Sequence, residues 1–219
     1  MREGWAVVCD FDGTALTEDL GDQVSRHFAG HEAWRRAEDD YRDGAFPFGE
    51  LLRRIFAPIT AGPEEIARFA RERAVLRPGF EAFVAACADA GRPFLVCSAG
   101  LDVYIEPVLE RLPPRLRAHV DLRSNRALCS PSGMTLEFHR PSRDDGCGRC
   151  GFCKGSVVRE LQAAGHRVVV CGDGTADRCA ADAADFVFAT RSLVAHCASG
   201  GLPHRPFQDF HEVMAHFPR

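Results

Sequence analysis

Four short and almost continuously apolar segments constrain the fold of this chain more than any other feature. They are WAVVC (5–9), PFLVC (93–97), RVVVC (167–171) and DFVFA (185–189), with a weaker fifth candidate at HVDLRS (119–124). Each main segment is too short for a core helix and is apolar on both faces. This pattern is typical of strands in a parallel sheet that helices cover on both sides.

Helical patterns lie between these segments, at 79–90, 102–112, 155–165 and 177–184. Pro78 favours the start of the first of them, and Gly165 favours the end of the third. The C-terminal segment that holds His204, His211 and His216 is predicted to be a surface helix packed on the core. Strands that alternate with helices predict an α/β fold with a three-layer, Rossmann-like parallel sheet.

Residues 15–76 interrupt this alternation, because they contain no convincing strand. They show helical stretches at 19–29, 31–43, 48–57 and 63–75, separated by glycine and proline. We therefore expect a helical cap at 15–76, inserted after the first strand into an α/β core formed by 1–14 and 77–219. Residues 124–153 are rich in turn-forming residues and are predicted to form a hairpin and a loop.

The composition limits the classes of partner. The chain has 219 residues with 46% hydrophobic and 26% charged residues, which is typical of a globular protein. Its formal net charge of −4 gives no basic surface for nucleic acid or an anionic membrane. The first residues form neither a signal peptide nor a membrane span. We expect a cytoplasmic protein with no nucleic-acid or membrane partner, and the sequence does not indicate an oligomeric state.

Polar side chains follow three of the predicted strands. Asp10 and Asp12 come after the first, Ser98 after the second, and Asp173 and Asp177 after the third. In an open α/β sheet, ligands bind beyond the carboxyl ends of the strands. Carboxylates there can hold a hard cation, and one can act as a nucleophile while another moves a proton. An Asp-Gly pair alone is also common in simple turns. The prediction of a binding site therefore depends on the three strand ends taken together.

These motifs resemble those of the haloacid dehalogenase-like (HAD) phosphohydrolases. The resemblance lies in DFDGT (10–14), the apolar run that ends in Ser98, Lys154, and GDGTAD (172–177), and their order covers nearly the whole chain. The helical insert is similar to the cap of the phosphoserine phosphatase-like branch. Within that branch, the cysteine-rich loop before Lys154 is similar to two groups. One is the methionine-salvage phosphatases that act on a hydroxyketo-methylthiopentenyl phosphate, and the other is the phosphoethanolamine/phosphocholine phosphatases.

The resemblance implies a Mg²⁺-dependent phosphatase and a role for each motif residue. Asp10 is the implied nucleophile, which becomes an aspartyl-phosphate, and Asp12 the implied general acid and base. The implied Mg²⁺ ligands are Asp10, Asp12 through its backbone carbonyl, Asp173 and Asp177. Ser98 and Lys154 are expected to bind the transferring phosphoryl group, and Gly13, Thr14, Ala99 and Gly100 complete the predicted phosphate site.

Asp19 is the one cap residue to which the resemblance gives a role. An acid about nine positions after the nucleophile faces the substrate in the similar families. The alternative is that Asp19 sits in the first turn of a cap helix, where an acid is favoured. Both interpretations stay open on the sequence.

The loop GCGRCGFCKGS (146–156) carries Cys147, Cys150 and Cys153 immediately before Lys154. Three thiolates supply most of a structural zinc site, which Cys129 or His139 would complete. A loop without metal is an equal alternative, and an iron–sulfur cluster is a weaker one, because nothing else in the chain indicates electron transfer. In each case the loop is expected to fix the position of Lys154.

The predicted function is hydrolysis of a small phosphorylated metabolite. Phosphocholine, phosphoethanolamine and phosphoserine are alternative substrates to the methionine-salvage intermediate. Two hypotheses from other classes are a phospho-accepting signalling module and a zinc- or cluster-binding interaction protein with a vestigial phosphatase site. Rapid multiple turnover would exclude the first, and the complete set of motif residues argues against the second.

Overall fold

The computed structural model describes residues 4–139 and 151–218, and its centre is a seven-stranded sheet in the order β4-β3-β2-β1-β5-β6-β7. Neighbouring strands are parallel, except that β3 and β4 form an antiparallel hairpin. The predicted α/β parallel sheet is confirmed. The strands are β1 (Trp5–Cys9), β2 (Phe94–Leu101), β3 (Val120–Ser130), β4 (Gly133–Glu137), β5 (Arg167–Gly172), β6 (Phe186–Ala189) and β7 (His204–Pro206).

Helices flank the sheet and fill the insert. The insert contains α1 (Leu20–Phe28), α2 (His31–Arg42), α3 (Phe48–Phe56) and α4 (Pro63–Arg73), close to the four predicted stretches. The remaining helices are α5 (Phe80–Asp89), α6 (Asp102–Leu109), α7 (Pro114–His119), α8 (Lys154–Ala163), α9 (Arg178–Ala183), α10 (Arg191–Ser199) and α11 (Phe210–Ala215). In the described part of the chain, no helix has the length and apolar character needed to cross a membrane.

Three sequence predictions need correction. Strand β2 does not end at Cys97 but continues to Leu101, so that Ser98 lies within the strand. The C-terminal segment is not one helix, because His204–Pro206 adds an edge strand to the sheet before the short helix α11. Helices α7 and α10 are additional. Short elements of this kind are determined by packing onto the sheet rather than by a strong local pattern.

Strand β1 explains why its segment is continuously apolar. It lies between β2 and β5, with Val7 paired to Phe94 on one side and to Val169 on the other. All five residues of β1 are buried. Full burial of a large aliphatic side chain contributes about 1.5–3 kcal/mol, so this central strand anchors the residues that follow it.

The two ends of the helical insert lie side by side. Leu16 and Leu76 form an isolated antiparallel bridge, and the backbone N–H of Thr17 donates to the carbonyl of Val75 at 3.1 Å. On the far side of the insert, the N–H of Met134 in β4 donates to the carbonyl of Ala57, just after α3, at 3.1 Å. The insert therefore contacts the rest of the chain both at its paired ends and at the hairpin. Its assignment as a separate cap domain stays a prediction.

Candidate active site

The carboxyl ends of β1, β2 and β5 meet at a cavity of about 320 Å³. Because β1 is flanked by the other two strands and all three run in the same direction, the residues at their ends converge. Eight of the sequence-predicted site residues line this cavity: Asp10, Asp12, Asp19, Ser98, Ala99, Gly100, Asp173 and Asp177. Lys154, at the start of α8, also lines the cavity.

Lys154 forms a buried ion group with two carboxylates. Its ammonium contacts Oδ1 of Asp10 and donates to Oδ1 of Asp177 at 2.5 Å. All three side chains are buried. Burial alone would lower the pKa of Lys154, but the two carboxylates outweigh it and raise the pKa above its usual range. Lys154 is therefore a permanent positive charge in the cluster.

Lys154 is also distinctive in the composition of the chain. It is the only lysine in a chain that otherwise carries 26 arginines. A compact ammonium can lie between two carboxylates, whereas the larger planar guanidinium of arginine needs more room. The site therefore requires lysine where the rest of the chain uses arginine.

Burial affects the nucleophile candidate as well. Burial and the carboxylate of Asp177 raise the pKa of Asp10, and the ammonium of Lys154 counters them. The second oxygen of Asp10 accepts a hydrogen bond of 3.1 Å from the hydroxyl of Thr14. The ammonium and the hydroxyl thus hold the two oxygens of Asp10 in fixed directions at the cavity.

The loop after β5 fixes the remaining acids. Oδ2 of Asp177 accepts the backbone N–H groups of Asp173 at 2.9 Å and Gly174 at 3.2 Å. A side chain at Gly172 would lie 2.7 Å from the Asp177 carboxylate, so glycine is required there. Burial and Asp177 raise the pKa of Asp173 to about 6, against the opposing effect of Lys154. In the described residues, one group of His, Cys, Asp and Glu side chains is close enough to hold a metal ion, formed by Asp10, Asp173 and Asp177.

Asp12 occupies a different position from the other acids. Its Oδ1 accepts the backbone N–H groups of Leu20 at 2.8 Å and Gly21 at 3.3 Å, at the start of α1. Its Oδ2 accepts the hydroxyl of Tyr104 at 3.0 Å. Burial raises the pKa of Asp12 to about 6, and these hydrogen bonds limit the increase. A carboxyl with a pKa of about 6 can both donate and accept a proton near neutral pH.

Ser98 and the turn after Asp12 fit the predicted phosphate site. Ser98 is buried, and its hydroxyl accepts the N–H of Gly100 at 2.9 Å. Gly13 has a φ of 74°, which favours glycine. A side chain at Gly13 would also collide with the Asp173 carboxylate. Their contacts with a phosphate stay predictions.

Asp19 lies at the start of α1 and on the lining of the cavity. Its carboxylate caps α1 by accepting the N–H of Asp22 at 2.7 Å, and it also lines the cavity. Its contact with substrate stays a prediction.

One wall of the cavity is apolar. It is formed mainly by α3 side chains: Phe48, Leu51, Leu52, Ile55 and Phe56. The acids Asp22 and Glu38 lie on the insert side, and each is paired with an arginine, Arg26 and Arg42. Among the described lining residues, Lys154 is the single cationic side chain.

The zinc hypothesis gains no support from the described residues. Cys147 and Cys150 lie outside them. Cys129, His139 and Cys153 lie within them but do not form a metal-binding group. Cys153 is buried directly before α8.

Four residues that contact the site were not found from the sequence. Tyr104 donates to Asp12, and Asn125 bonds the carbonyl of Ala99 at 2.8 Å. Arg77 donates to the carbonyls of Thr14 at 2.7 Å and Gly13 at 2.6 Å. Arg191 donates to Asp173 at 3.2 Å and to the carbonyl of Thr17 at 2.8 Å. These partners lie far apart in the chain, and no short motif connects them.

The chain is similar to a known protein family and to named relatives. A family model described as haloacid dehalogenase-like hydrolase matches residues 7–182. A 2-hydroxy-3-keto-5-methylthiopentenyl-1-phosphate phosphatase from Bacillus velezensis is 32% identical over 208 residues, which cover 94% of this chain and 87% of that protein.

Two further proteins extend the comparison. The bifunctional enzyme MtnB/MtnX from Bacillus licheniformis is 32% identical over 209 residues, which cover 94% of this chain and 48% of the relative. The chain thus spans about half the length of that relative. A substrate-bound phosphoserine phosphatase structure aligns over 100% of both chains with a TM-score of 0.73 and 17% identity, and it supports the fold alone.

Proposed function

The chain belongs to the haloacid dehalogenase-like hydrolase family, and on that premise we propose that it hydrolyses the phosphate monoester of a small metabolite at Asp10. The observation that carries the proposal is the convergence of Asp10, Asp12 and Lys154 at one cavity. These residues supply a nucleophile, a proton donor and a fixed positive charge, which are the groups that phosphoryl transfer requires.

The reaction follows from the positions of these groups. An oxygen of Asp10 attacks phosphorus, the bond from phosphorus to the leaving oxygen breaks, and Asp12 gives its proton to that oxygen. Asp12 then takes a proton from water as the water oxygen attacks phosphorus. The bond between phosphorus and the Asp10 oxygen breaks, which releases inorganic phosphate and restores the Asp10 carboxylate. Lys154 and the hydroxyl of Ser98 bind the phosphoryl oxygens and offset their charge.

The acidic group of Asp10, Asp173 and Asp177 fits Mg²⁺. Its oxygen donors are the type that this hard cation prefers, and the three ligand atoms lie within 4.8 Å of one another. The backbone carbonyl of Asp12 is the further ligand that the family pattern implies. When bound, Mg²⁺ supplies positive charge to the phosphoryl oxygens and to the packed carboxylates.

The substrate we favour is 2-hydroxy-3-keto-5-methylthiopentenyl-1-phosphate or a close analogue, the ester named for the relatives. The apolar α3 wall supports this choice, because it offers a surface for an uncharged thioether arm. A phosphoserine carboxylate needs a cation of its own. The single described cation in the lining, Lys154, already contacts Asp10 and Asp177 and is assigned to the phosphoryl group. Asp22 and Glu38 have arginine partners, so these two acids give little support to a choline or ethanolamine headgroup.

Residues 15–76 are proposed to act as a cap over this cavity. Asp12 bonds the first N–H groups of α1, and α3 forms the apolar wall. A cap placed in this way excludes bulk water from the phosphoryl-transfer step. A structural zinc at the cysteine loop stays a hypothesis, and metal analysis of the purified protein with and without Cys147→Ser and Cys150→Ser tests it.

The direct test is phosphate release from a panel of esters with Mg²⁺ present. The panel contains the thiopentenyl ester, phosphocholine, phosphoethanolamine, phosphoserine and an aryl phosphate. We expect multiple turnovers with the highest kcat/KM on the thiopentenyl ester, reversible loss of activity in EDTA, and no turnover by Asp10→Asn.

Three outcomes would contradict the proposal. Turnover by Asp10→Asn would exclude the assigned nucleophile. A single phosphoryl group retained per chain would instead indicate a phospho-accepting module. Release of phosphate from phosphoserine alone would overturn the substrate choice while leaving the reaction class intact.

A further inference from the structure

Tyr104 is a buried tyrosine whose hydroxyl reaches the candidate acid. It lies in the first turn of α6, is 1% exposed, and donates to Oδ2 of Asp12 at 3.0 Å. The ring lies next to that of Phe56 at the end of α3, with centroids 6.3 Å apart and an angle of 23° between the ring planes. The hydroxyl therefore lies where the sheet, the insert and the cavity meet.

Two glycines make room for this hydroxyl. A side chain at Gly100 in β2 would collide with the phenol oxygen, and one at Gly21 in α1 would lie 2.8 Å from it. Burial of a hydroxyl group in such a tight space costs free energy unless the hydroxyl is hydrogen-bonded. Asp12 supplies that bond, so the two side chains determine each other's position.

The two oxygens of Asp12 differ in the partners they have. Oδ1 accepts two backbone N–H groups, from Leu20 and Gly21, and a backbone N–H can only donate. A proton on Oδ1 would displace these bonds. The hydroxyl of Tyr104 can rotate and either donate or accept, so Oδ2 can carry a proton without leaving any group unpaired.

From this asymmetry we propose that Tyr104 is a positioning residue that makes Oδ2 of Asp12 the proton-transfer oxygen. When Asp12 is ionised, the hydroxyl donates to Oδ2. When Asp12 carries its proton, Oδ2 donates a hydrogen bond to the phenol oxygen, which keeps the proton on Oδ2 until the leaving oxygen of the ester takes it. The proton moves from Oδ2 to the leaving oxygen as the bond from phosphorus to that oxygen breaks. This inference rests on the proposed phosphatase function.

The test is the variant Tyr104→Phe, which removes the hydroxyl and keeps the ring. Two substrates are compared by kcat/KM, which reports the steps up to departure of the leaving group. An alkyl phosphate has a poor leaving group that needs a proton, whereas p-nitrophenyl phosphate has a good one that needs little help. We expect kcat/KM to fall by about tenfold or more for the alkyl ester and by less than about threefold for the aryl ester.

Tyr41→Phe is the matched control. Tyr41 is the other tyrosine of the chain and also lines the cavity, from α2. Its variant should keep the wild-type ratio of alkyl to aryl kcat/KM. Asp12→Asn should lower that ratio further than Tyr104→Phe does, because it removes the proton itself.

Two results would overturn the inference. An equal loss of kcat/KM on both esters would indicate a role in packing only, and unchanged values on both would indicate no role. If the wild-type protein releases phosphate from neither of these esters and from no ester of the earlier panel, the proposed function fails instead, so the two failures are distinguishable. Thermal unfolding of Tyr104→Phe shows whether the ring still packs.

Discussion

The side-chain amide of Asn125 donates a hydrogen bond of 3.1 Å to the backbone carbonyl of Gly151, three residues before Lys154. The same amide nitrogen donates to the carbonyl of Ala99 in β2, and its oxygen accepts the N–H of His139. Asn125 is 1% exposed. One buried amide thus connects strand β2 to the residues immediately before Lys154.

We expect Asn125→Ala to misplace Lys154. The substitution leaves two buried carbonyls without a donor, which costs about 1–3 kcal/mol of stability for each unsatisfied group. Because Lys154 must lie between Asp10 and Asp177, we also expect kcat/KM to fall by about tenfold to a hundredfold. Steady-state kinetics and chemical denaturation measure the two effects.

The neighbouring Ser124 provides the control for that variant. It is also buried, and Ser124→Ala removes a small hydroxyl without touching the Gly151 carbonyl. Its kcat/KM should stay within about threefold of the wild type. An Asn125→Ala protein with normal turnover would show that other contacts hold Lys154.

The sequence predicts the acids of the site better than it predicts their supports. Asp10 and Asp173 are found because strand ends of a parallel sheet converge, and this rule needs only local patterns. Lys154, at the start of α8, is found only through the family resemblance. Tyr104 bonds Asp12, which is 92 residues away in the chain. Asn125 bonds the carbonyls of Ala99 and Gly151, each 26 residues away. Such contacts depend on how helices and loops pack, which periodicity does not encode.

The sequence also predicts the centre of the sheet better than its edge. The buried strand β1 was predicted at its full length because burial on both faces leaves a continuous apolar signal. The edge strand at His204–Pro206 is half-exposed and short, so its residues carry no such signal. A strand of this kind is determined by its backbone pairing with β6.

Gly172→Ala should disable the acidic group without changing any acid. A methyl group at this position lies 2.7 Å from the carboxylate of Asp177 and must push it away. We expect kcat to fall by about a hundredfold or more and Mg²⁺ to bind more weakly. Kinetics over a range of Mg²⁺ concentrations and calorimetric Mg²⁺ binding measure these changes.

Gly174→Ala is the matched control in the same loop. Its φ of −140° suits any residue, and a side chain there meets nothing within 4 Å. Kinetics and Mg²⁺ binding should stay close to wild type. If both glycine variants lose activity equally, loop flexibility rather than the position of Asp177 is the cause.

Lys154→Arg should inactivate the protein although it keeps the positive charge. The ammonium lies between Asp10 and Asp177, and all three side chains are buried, so a guanidinium has no room there. We expect a loss of about a thousandfold in kcat/KM, close to that of Lys154→Met. A Lys154→Arg variant with more than about a tenth of wild-type kcat/KM would show that charge alone suffices.

Lys154→Met isolates the contribution of the charge to stability. It leaves Asp10 and Asp177 buried without their cation, and breaking a buried ion group in this way costs about 3–5 kcal/mol. We expect this loss in EDTA and a partial recovery when Mg²⁺ is added, because the ion supplies positive charge to the same carboxylates. Urea denaturation with and without Mg²⁺ measures both effects, and a loss that Mg²⁺ does not reduce would contradict the assigned metal site.

Asp173→Asn should stabilise the protein in EDTA, and more so as the pH rises. The folded protein raises the pKa of Asp173 from its ordinary value of 3.8 to about 6, so the folded state holds this proton more tightly than the unfolded state. Stability from this group is therefore present below about pH 4 and is lost as the pH rises to about 6. Asparagine does not ionise, so it avoids this loss, which corresponds to about 3 kcal/mol.

Denaturation in EDTA at intervals from pH 4 to pH 7.5 measures this effect. The difference in free energy of unfolding between Asp173→Asn and wild type should grow over that range and then become constant. Loss of the ion pair with Arg191 reduces the gain in free energy of unfolding only slightly, because that arginine is 46% exposed. A difference for Asp173→Asn that shrinks with rising pH would mean that this carboxylate stabilises the fold.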